Sequence, residues 1–261
     1  MWGMRNATGG QVLRGLARVL FYVGLPLALI TTNVRVAFSD EHVYEYSIDH
    51  YDAASVTQIS HADLIAAAND IRAYFYNRED YLRTLVHDQD GNVVPLFSPK
   101  EVAHMHDVKA LVHRVYAVGA VALCGVLAYL VALGVWSREE SLVSLARRML
   151  QACAGTGLLL IVFGFAAATG GFDNLFVQFH ELSFGNDFWQ LDPARDHLVQ
   201  MFPQGFWLDA TVLIAGLTVV EIALIGLVAF LYLRHAGEAD GSESVTAGSA
   251  ERREDAPQPV A

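Results

Sequence analysis

The sequence predicts an all-α membrane protein with four transmembrane helices, a small extracytoplasmic α(+β) portion and an interfacial loop rich in aromatic residues. Three observations carry this prediction. Of the 261 residues, 54% are apolar and only 17% are charged, against about 25% charged in an ordinary soluble domain. Four apolar stretches are each long enough to cross roughly 30 Å of hydrocarbon as a helix. The segments between them alternate between basic and strongly acidic, as expected for a chain that changes sides at each crossing.

The spans run from about Leu16 to Asn33, Ala110 to Trp136, Leu150 to Gly170 and Leu208 to Leu233. Charges within them are few: Arg18 at the edge of the first, His113 and Arg114 at the start of the second, and Asp209 and Glu221 in the fourth. The first span has the basic flank of a signal peptide in Arg5, Arg14 and Arg18. Its downstream sequence, Thr31-Thr32-Asn33-Val34-Arg35-Val36-Ala37, places Arg35 where a cleavage site needs a small residue. The span is therefore read as a retained anchor. Glu221 is costly in hydrocarbon without a partner, and a hydrogen bond to a neighbouring helix is its simplest role.

Arginine marks the cytoplasmic side. Arg5 and Arg14 precede span one with Arg18 at its edge, Arg138, Arg147 and Arg148 separate spans two and three, and Arg234 follows span four. Residues 39–109 hold 13 acidic against five basic residues, and residues 171–207 hold five acids against Arg195 alone, so both face outward. Residues 1–15 form a cytoplasmic N-terminus and 16–233 the four-span domain. Residues 234–261 carry almost no bulky apolar side chain and are expected to be a disordered cytoplasmic tail.

The first outward segment is too long to lack structure. Val43-Tyr44-Glu45-Tyr46-Ser47-Ile48 alternates like a half-covered strand. Leu64, Ile65, Ala68, Ile71, Tyr74 and Phe75 then follow helical spacing, with Ser60 as N-cap and Asp63 at the third position. Asp90-Gly91-Asn92 marks a turn. Ser98-Pro99-Lys100-Glu101 is a second helix start, and nothing breaks that helix before span two. Glu101, His104 and Val108 share one of its faces. His104 precedes Ala110 by six residues, which places it about 9 Å above the hydrocarbon edge.

The second outward segment is dense in Phe and Trp, suited to the membrane interface. Leu175, Phe176, Phe179 and Leu182 form a short apolar helical face beside His180, and Asp192-Pro193 opens a short helix that Pro203 ends.

Eight of the ten histidines fall in the outward segments. Imidazole titrates near neutrality and suits proton transfer. His104 and His180 stand out because each lies at the membrane-proximal end of its segment, within reach of a lipid ester. His106 points about 200° from His104 on a helix, so the two do not grip one metal ion together. There is no Gly-x-Ser-x-Gly elbow, His-Glu-x-x-His pair or phosphate-cradling loop. The net charge of −11 disfavours a nucleic-acid binder. Cys124 and Cys153 lie in apolar runs, which argues against a disulfide framework.

Several motifs resemble those of the bacterial integral membrane proteins of the lipoprotein intramolecular transacylase (Lit) family. They are Asn33-Val34-Arg35, Tyr44-Glu45-Tyr46, His104-Met105-x-Asp107-Val108-Lys109 and the run Phe179-His180-x-x-x-Phe184-x-Asn186-Asp187-x-Trp189-x-Leu191-Asp192-Pro193-x-x-Asp196, followed by Met201-Phe202-Pro203. The resemblance spans about Leu16 to Leu233. It implies an enzyme of the bacterial cytoplasmic membrane with its active site on the outer face. The family reaction moves the sn-2 acyl chain of a diacylglyceryl-modified lipoprotein to the α-amino group of its N-terminal cysteine, leaving the lyso form. The resemblance assigns catalysis to His104 and His180. Asp107, Lys109, Asn186, Asp187, Trp189 and Asp196 are the supporting or substrate-binding candidates. Amine attack on an ester requires neither metal nor cofactor, and none is expected; the partners are lipoproteins and membrane lipid, with no nucleic acid. The alternative is a non-catalytic four-helix membrane protein whose outward part binds lipid or a protein partner.

Overall fold

The computed structural model describes residues 3–136 and 140–254. Arg138 and residues 255–261 of the tail lie outside the described residues. In chain order the elements are α1 (Gly3–Ser39), α2 (Glu41–His50), α3 (Ala53–Thr57), α4 (His61–Tyr74), β1 (Leu85–His87), β2 (Val93–Pro95), α5 (Pro99–Trp136), α6 (Glu140–Gly170), α7 (Phe172–Ser183), α8 (His197–Met201) and α9 (Gln204–Glu254).

Four helical segments have the length and apolar composition to cross a membrane: Gly15–Ser39, Pro99–Leu133, Leu142–Gly170 and Gln204–Gly237. Three of them contain the corresponding apolar stretch of the sequence, and the second overlaps Ala110–Trp136 as far as Leu133. Many of their large apolar side chains point outward, among them Val121, Ile161 and Val228, as lipid-facing surfaces require. Close approach between α1 and α5 depends on Gly119, where an added Cβ would sit 2.9 Å from the Thr31 Cβ. Small residues bring membrane helices together in this way. Between α1 and α9, the Asn33 amide donates to Thr218 Oγ1 at 3.1 Å and to Glu221 Oε2 at 2.9 Å. Glu221 thus bonds a neighbouring helix, as its position in the span suggested.

Elements α2 to α4, the hairpin, the first turns of α5, and α8 form a head with its own core. Ile48, Leu64, Ile71, Tyr74, Val86 and Met201 are buried in it. The Ser47 hydroxyl donates to Met201 O at 2.7 Å and ties α2 to α8. The helix expected after Ser60 is α4, with Ser60 accepting from Asp63 N at 3.1 Å. The turn at Asp90–Asn92 joins two antiparallel strands in which Val86 faces Val94. Asp88 Oδ1 pins that turn by accepting from the backbone N–H groups of Asp90 and Asn92.

Three expectations are corrected. Residues 43–48 are not a strand but the middle of α2, where Tyr44, Ser47 and Ile48 are buried at helical spacing and Asp40 caps the start by accepting from His42 N. Six residues with apolar side chains at 43, 44, 46 and 48 satisfy either period, and the cap decides. The helix after Asp192-Pro193 begins four residues late, at His197. Asp192 is occupied in a local turn, accepting from Ala194 N at 2.9 Å, while its own N–H donates to Asp196 Oδ2 at 2.6 Å. Residues 234–254, expected to lack structure, continue α9 as a helix; their Ala and Glu residues have high helix propensity.

Candidate active site

The helix start at Ser98 aims α5. Ser98 N donates to Glu101 Oε2 at 2.7 Å and Glu101 N donates to Ser98 Oγ at 3.4 Å, a reciprocal capping box. One turn on, His104 is 7% exposed and its Nδ1 is buried with no hydrogen-bond partner among the described residues.

The other half of the site follows α6. That helix ends at Gly170, and Gly171, at φ 80°, turns the chain so that α7 starts at once. Along this helix Phe179 is 51% exposed and Leu182 is 89% exposed. His180 instead turns inward and is 7% exposed.

The two imidazoles meet with centroids 6.0 Å apart, inclined by 33°. Around His180 stand Phe176 at 4.3 Å, Trp189 at 5.1 Å, Phe179 at 5.2 Å and Phe184 at 5.7 Å. Phe184 also meets His104 edge to face at 5.3 Å. His180 Nδ1 lies 2.7 Å from Phe176 O. A carbonyl only accepts, so Nδ1 carries the proton and Nε2 presents a lone pair. Burial pushes the His180 imidazole below its usual pKa, opposed by that same hydrogen bond. The His180 ring is therefore suited to exchange protons in its neutral form.

The loop between α7 and α8 is strapped along α5. The Asn186 amide donates to Asp107 Oδ2 at 2.8 Å, and Asn186 Oδ1 accepts from Phe188 N at 3.1 Å. The Lys100 ammonium donates to Gln190 O. These contacts hold Trp189 against His180. Asp187 is exposed and bonds only within the loop, to Gln190. Asp196 closes the Asp192 turn, accepting from Asp192 N at 2.6 Å.

Lys109 belongs elsewhere. Its ammonium donates to Asn77 O at 3.0 Å, Asn77 Oδ1 at 3.0 Å and Glu79 O at 2.8 Å, and sits 4.1 Å from the Tyr74 ring centroid. All three protons are used in fastening the 77–79 turn to α5. His106 likewise faces away, with Nδ1 on Asp80 O at 2.8 Å and its ring stacked on Tyr81. Of the sequence candidates, the structure gathers His104, His180, Asp107, Asn186 and Trp189, and leaves Lys109, Asp187 and Asp196 outside. Among the described residues, no three His, Cys, Asp or Glu side chains come together in a group able to hold a metal.

Glu101 was seen from sequence as a cap alone. It is 1% exposed, and its second oxygen, Oε1, accepts from Leu198 N at 2.7 Å. One carboxylate therefore caps α5 and α8 together and anchors the far end of the strapped loop.

Residues 19–207 match the family model described as lipoprotein intramolecular transacylase Lit. No curated protein sequence matches the chain. Among solved structures, the membrane-integral Lit of Bacillus cereus aligns with a TM-score of 0.66 at 18% identity, over 88% of this chain and 99% of that one. A variant of it with one histidine changed to arginine aligns at 0.67 and 17% identity, over 91% and 99% of the two chains. A variant with that histidine changed to alanine gives the same score and identity over 90% and 99%. Those likenesses establish a shared multi-pass fold. With the family model covering most of the chain, this protein belongs to the lipoprotein intramolecular transacylase family, Lit, of membrane acyltransferases.

Proposed function

We propose that the protein moves the sn-2 acyl chain of a diacylglyceryl-modified lipoprotein to the α-amino group of the same molecule's N-terminal cysteine, using His104 and His180 as its catalytic residues. The observation that supports this reading above others is the pair of buried imidazoles, 6.0 Å apart, at the junction of the head and the spans. A reacting carbonyl placed between them lies within hydrogen-bond reach of both. The alternation of arginine and acidic segments supports an outward-facing head, with both termini in the cytoplasm.

The His180 tautomer supports a division of roles between the two rings. The His180 Nε2 lone pair takes a proton from the attacking amine as the N–C bond forms. An N–H of His104 hydrogen-bonds the oxygen that becomes negative in the tetrahedral intermediate. The imidazolium of His180 then returns its proton to the sn-2 oxygen as the C–O bond breaks. One N–C bond replaces one C–O bond, one proton passes from nitrogen to oxygen, and no other reactant is consumed. Asp107, held by Asn186, and Trp189, lying on His180, keep both rings in place. The aromatic and apolar side chains of α7 form the lipid-level approach for the acyl chains.

The test is expression in bacterial cells that lack N-acyl lipoprotein processing, with the N-terminal peptide of a lipoprotein read by mass spectrometry. The wild-type chain yields the N-acylated lyso form, and His104→Ala and His180→Ala, each inserted in the membrane, leave the diacylglyceryl form unchanged. A wild-type chain that yields no lyso form overturns the reading.

A further inference from the structure

The head contains a cavity of about 180 Å³ that the acyl-transfer chemistry leaves unused. Gln58, His87, Gln89, Val94, Leu96 and His197 are among its lining residues. We propose that this cavity binds the polypeptide of the substrate, a few residues beyond its lipidated cysteine. The proposal rests on the transacylase reading and adds to it a second contact with the same substrate.

Placement along α5 carries the argument. Leu96 lines the cavity immediately before the helix begins, His104 lies eight residues later, and the apolar part of the span starts near Ala110. His104 lies five residues into the helix, about 7.5 Å along its axis, and the three residues back to Leu96 span at most about 10 Å of extended chain, so the cavity wall stands about 8–18 Å from the imidazoles on the side opposite the membrane. Cavity, imidazole pair and bilayer are thus stacked in one order along one helix. A lipoprotein has the same order of parts: polypeptide, then amine and ester, then acyl chains.

The cavity also lies on the correct side of α5. Its wall residue His197 precedes Leu198, whose N–H is bound by Glu101, and Glu101 shares the helix face that carries His104. An extended chain advances about 3.3 Å per residue, so the cavity is reached at about the fourth to sixth residue of the substrate.

The lining suits a peptide. Val94 and Leu96 supply apolar wall, while His197 uses Nδ1 against Gln200 Oε1 and keeps Nε2 for a ligand. Gln89, on the exposed turn after β1, adds an amide able to donate to a carbonyl and accept from an N–H. The wall is also held in place. Gln58 is in the left-handed region at φ 59°, and Asp88 fastens the hairpin turn.

The experiment uses full-length protein in nanodiscs with synthetic diacylglyceryl-cysteinyl peptides of two, four, six and eight residues, acyl transfer being followed by mass spectrometry. In wild-type protein, KM falls at least tenfold between two and six residues while kcat stays constant. His197→Ala and Gln89→Ala raise KM for the six-residue peptide toward that of the dipeptide and leave dipeptide turnover unchanged. Gln89 is exposed, so its replacement keeps the test open even if the His197 variant folds poorly. Turnover with a KM independent of length, or variants that slow short and long peptides equally, overturns the cavity assignment and leaves the transacylase reading standing. No turnover at any length overturns both.

Discussion

Glu101 and Leu198 are 97 residues apart in sequence and joined by a 2.7 Å hydrogen bond from the Leu198 amide to the Glu101 carboxylate. The same carboxylate accepts from Ser98 N, so a single buried side chain fixes the start of α5 and the start of α8. Its replacement leaves two backbone donors without an acceptor.

Glu101→Ala is therefore expected to destabilise the protein by about 2–4 kcal/mol, the cost of orphaning one buried and one part-buried donor. Thermal unfolding in detergent measures this. Glu101→Gln retains one acceptor oxygen and should fall between wild type and alanine. Equal unfolding temperatures for wild type and Glu101→Ala contradict the double-cap role.

Asn186 tests the strap over the imidazoles. Its amide donates to Asp107 and its Oδ1 accepts from Phe188 N, so Asn186→Ala removes two bonds, whereas Asn186→Asp keeps an acceptor for Phe188 N but sets two carboxylates against each other. Loss of a hydrogen bond to a charged group corresponds to roughly a tenfold drop in kcat/KM if the strap positions Trp189 and Phe184 in the transition state. The aspartate variant should fall further, and hydrogen exchange over residues 184–191 should quicken in the same order. An aspartate variant more active than the alanine variant is inconsistent with this strap.

The four spans were legible because their signals are local, whereas the pairing of His104 with His180 rested on the family resemblance. Apolar length identifies a crossing, and the Ser98-Pro99-Lys100-Glu101 box identifies where α5 begins and so which face His104 takes. Helical geometry also separates His104 from His106, and the structure sends the latter to Asp80. The failures lie where one short segment fits two patterns or where the partner is distant. Residues 43–48 satisfy both strand and helix periods, and the Asp40 cap that settles the matter precedes the window. Lys109 stands in the His104 motif, yet five residues turn it about 140° away, to carbonyls of the 77–79 turn. The Leu198 N–H that Glu101 binds is a backbone group and leaves no mark in sequence.

Lys109 consequently gives a prediction opposite in kind to the histidines. Lys109→Met removes three hydrogen bonds and a cation-π contact, and should cost about 3 kcal/mol of stability. Acyl transfer per folded molecule should remain within about threefold of wild type, since no bond of Lys109 reaches the imidazoles. Comparing unfolding temperature with turnover normalised to folded protein checks both parts. Normal stability with lost turnover returns Lys109 to the site.

The His180 pKa sets a pH dependence with a defined sign. Burial lowers it from the ordinary 6.5, the Phe176 hydrogen bond offsets this only in part, and the net shift is downward. In the proposed mechanism the base is the neutral ring, so kcat should rise through a pKa below 6.5 and be level at neutral pH. Linkage gives the matching stability effect, because the unfolded chain binds the proton that the folded chain resists. The ring's contribution is complete above the unfolded pKa and shrinks as pH falls from there toward the folded value. Titration of the His180 ring by NMR, with His104→Ala as control, measures the shift directly. A His180 pKa above 6.5 in the folded protein contradicts its assignment as a base ready at neutral pH.

Glu221 makes the last prediction, and the test turns on charge. It accepts from the Asn33 amide in the spanning region, beside the buried Thr218. Only an oxygen acceptor is needed for that bond. Glu221→Gln should therefore unfold within about 1 kcal/mol of wild type, whereas Glu221→Leu leaves Asn33 with one bond fewer and should lose about 0.6–2 kcal/mol, the range for interhelical hydrogen bonds in membranes. Neither variant touches the imidazole pair, so acyl transfer by folded protein should be retained in both. Turnover lost in Glu221→Gln at unchanged stability would show that the carboxyl proton itself is used, and would move Glu221 from helix packing to function.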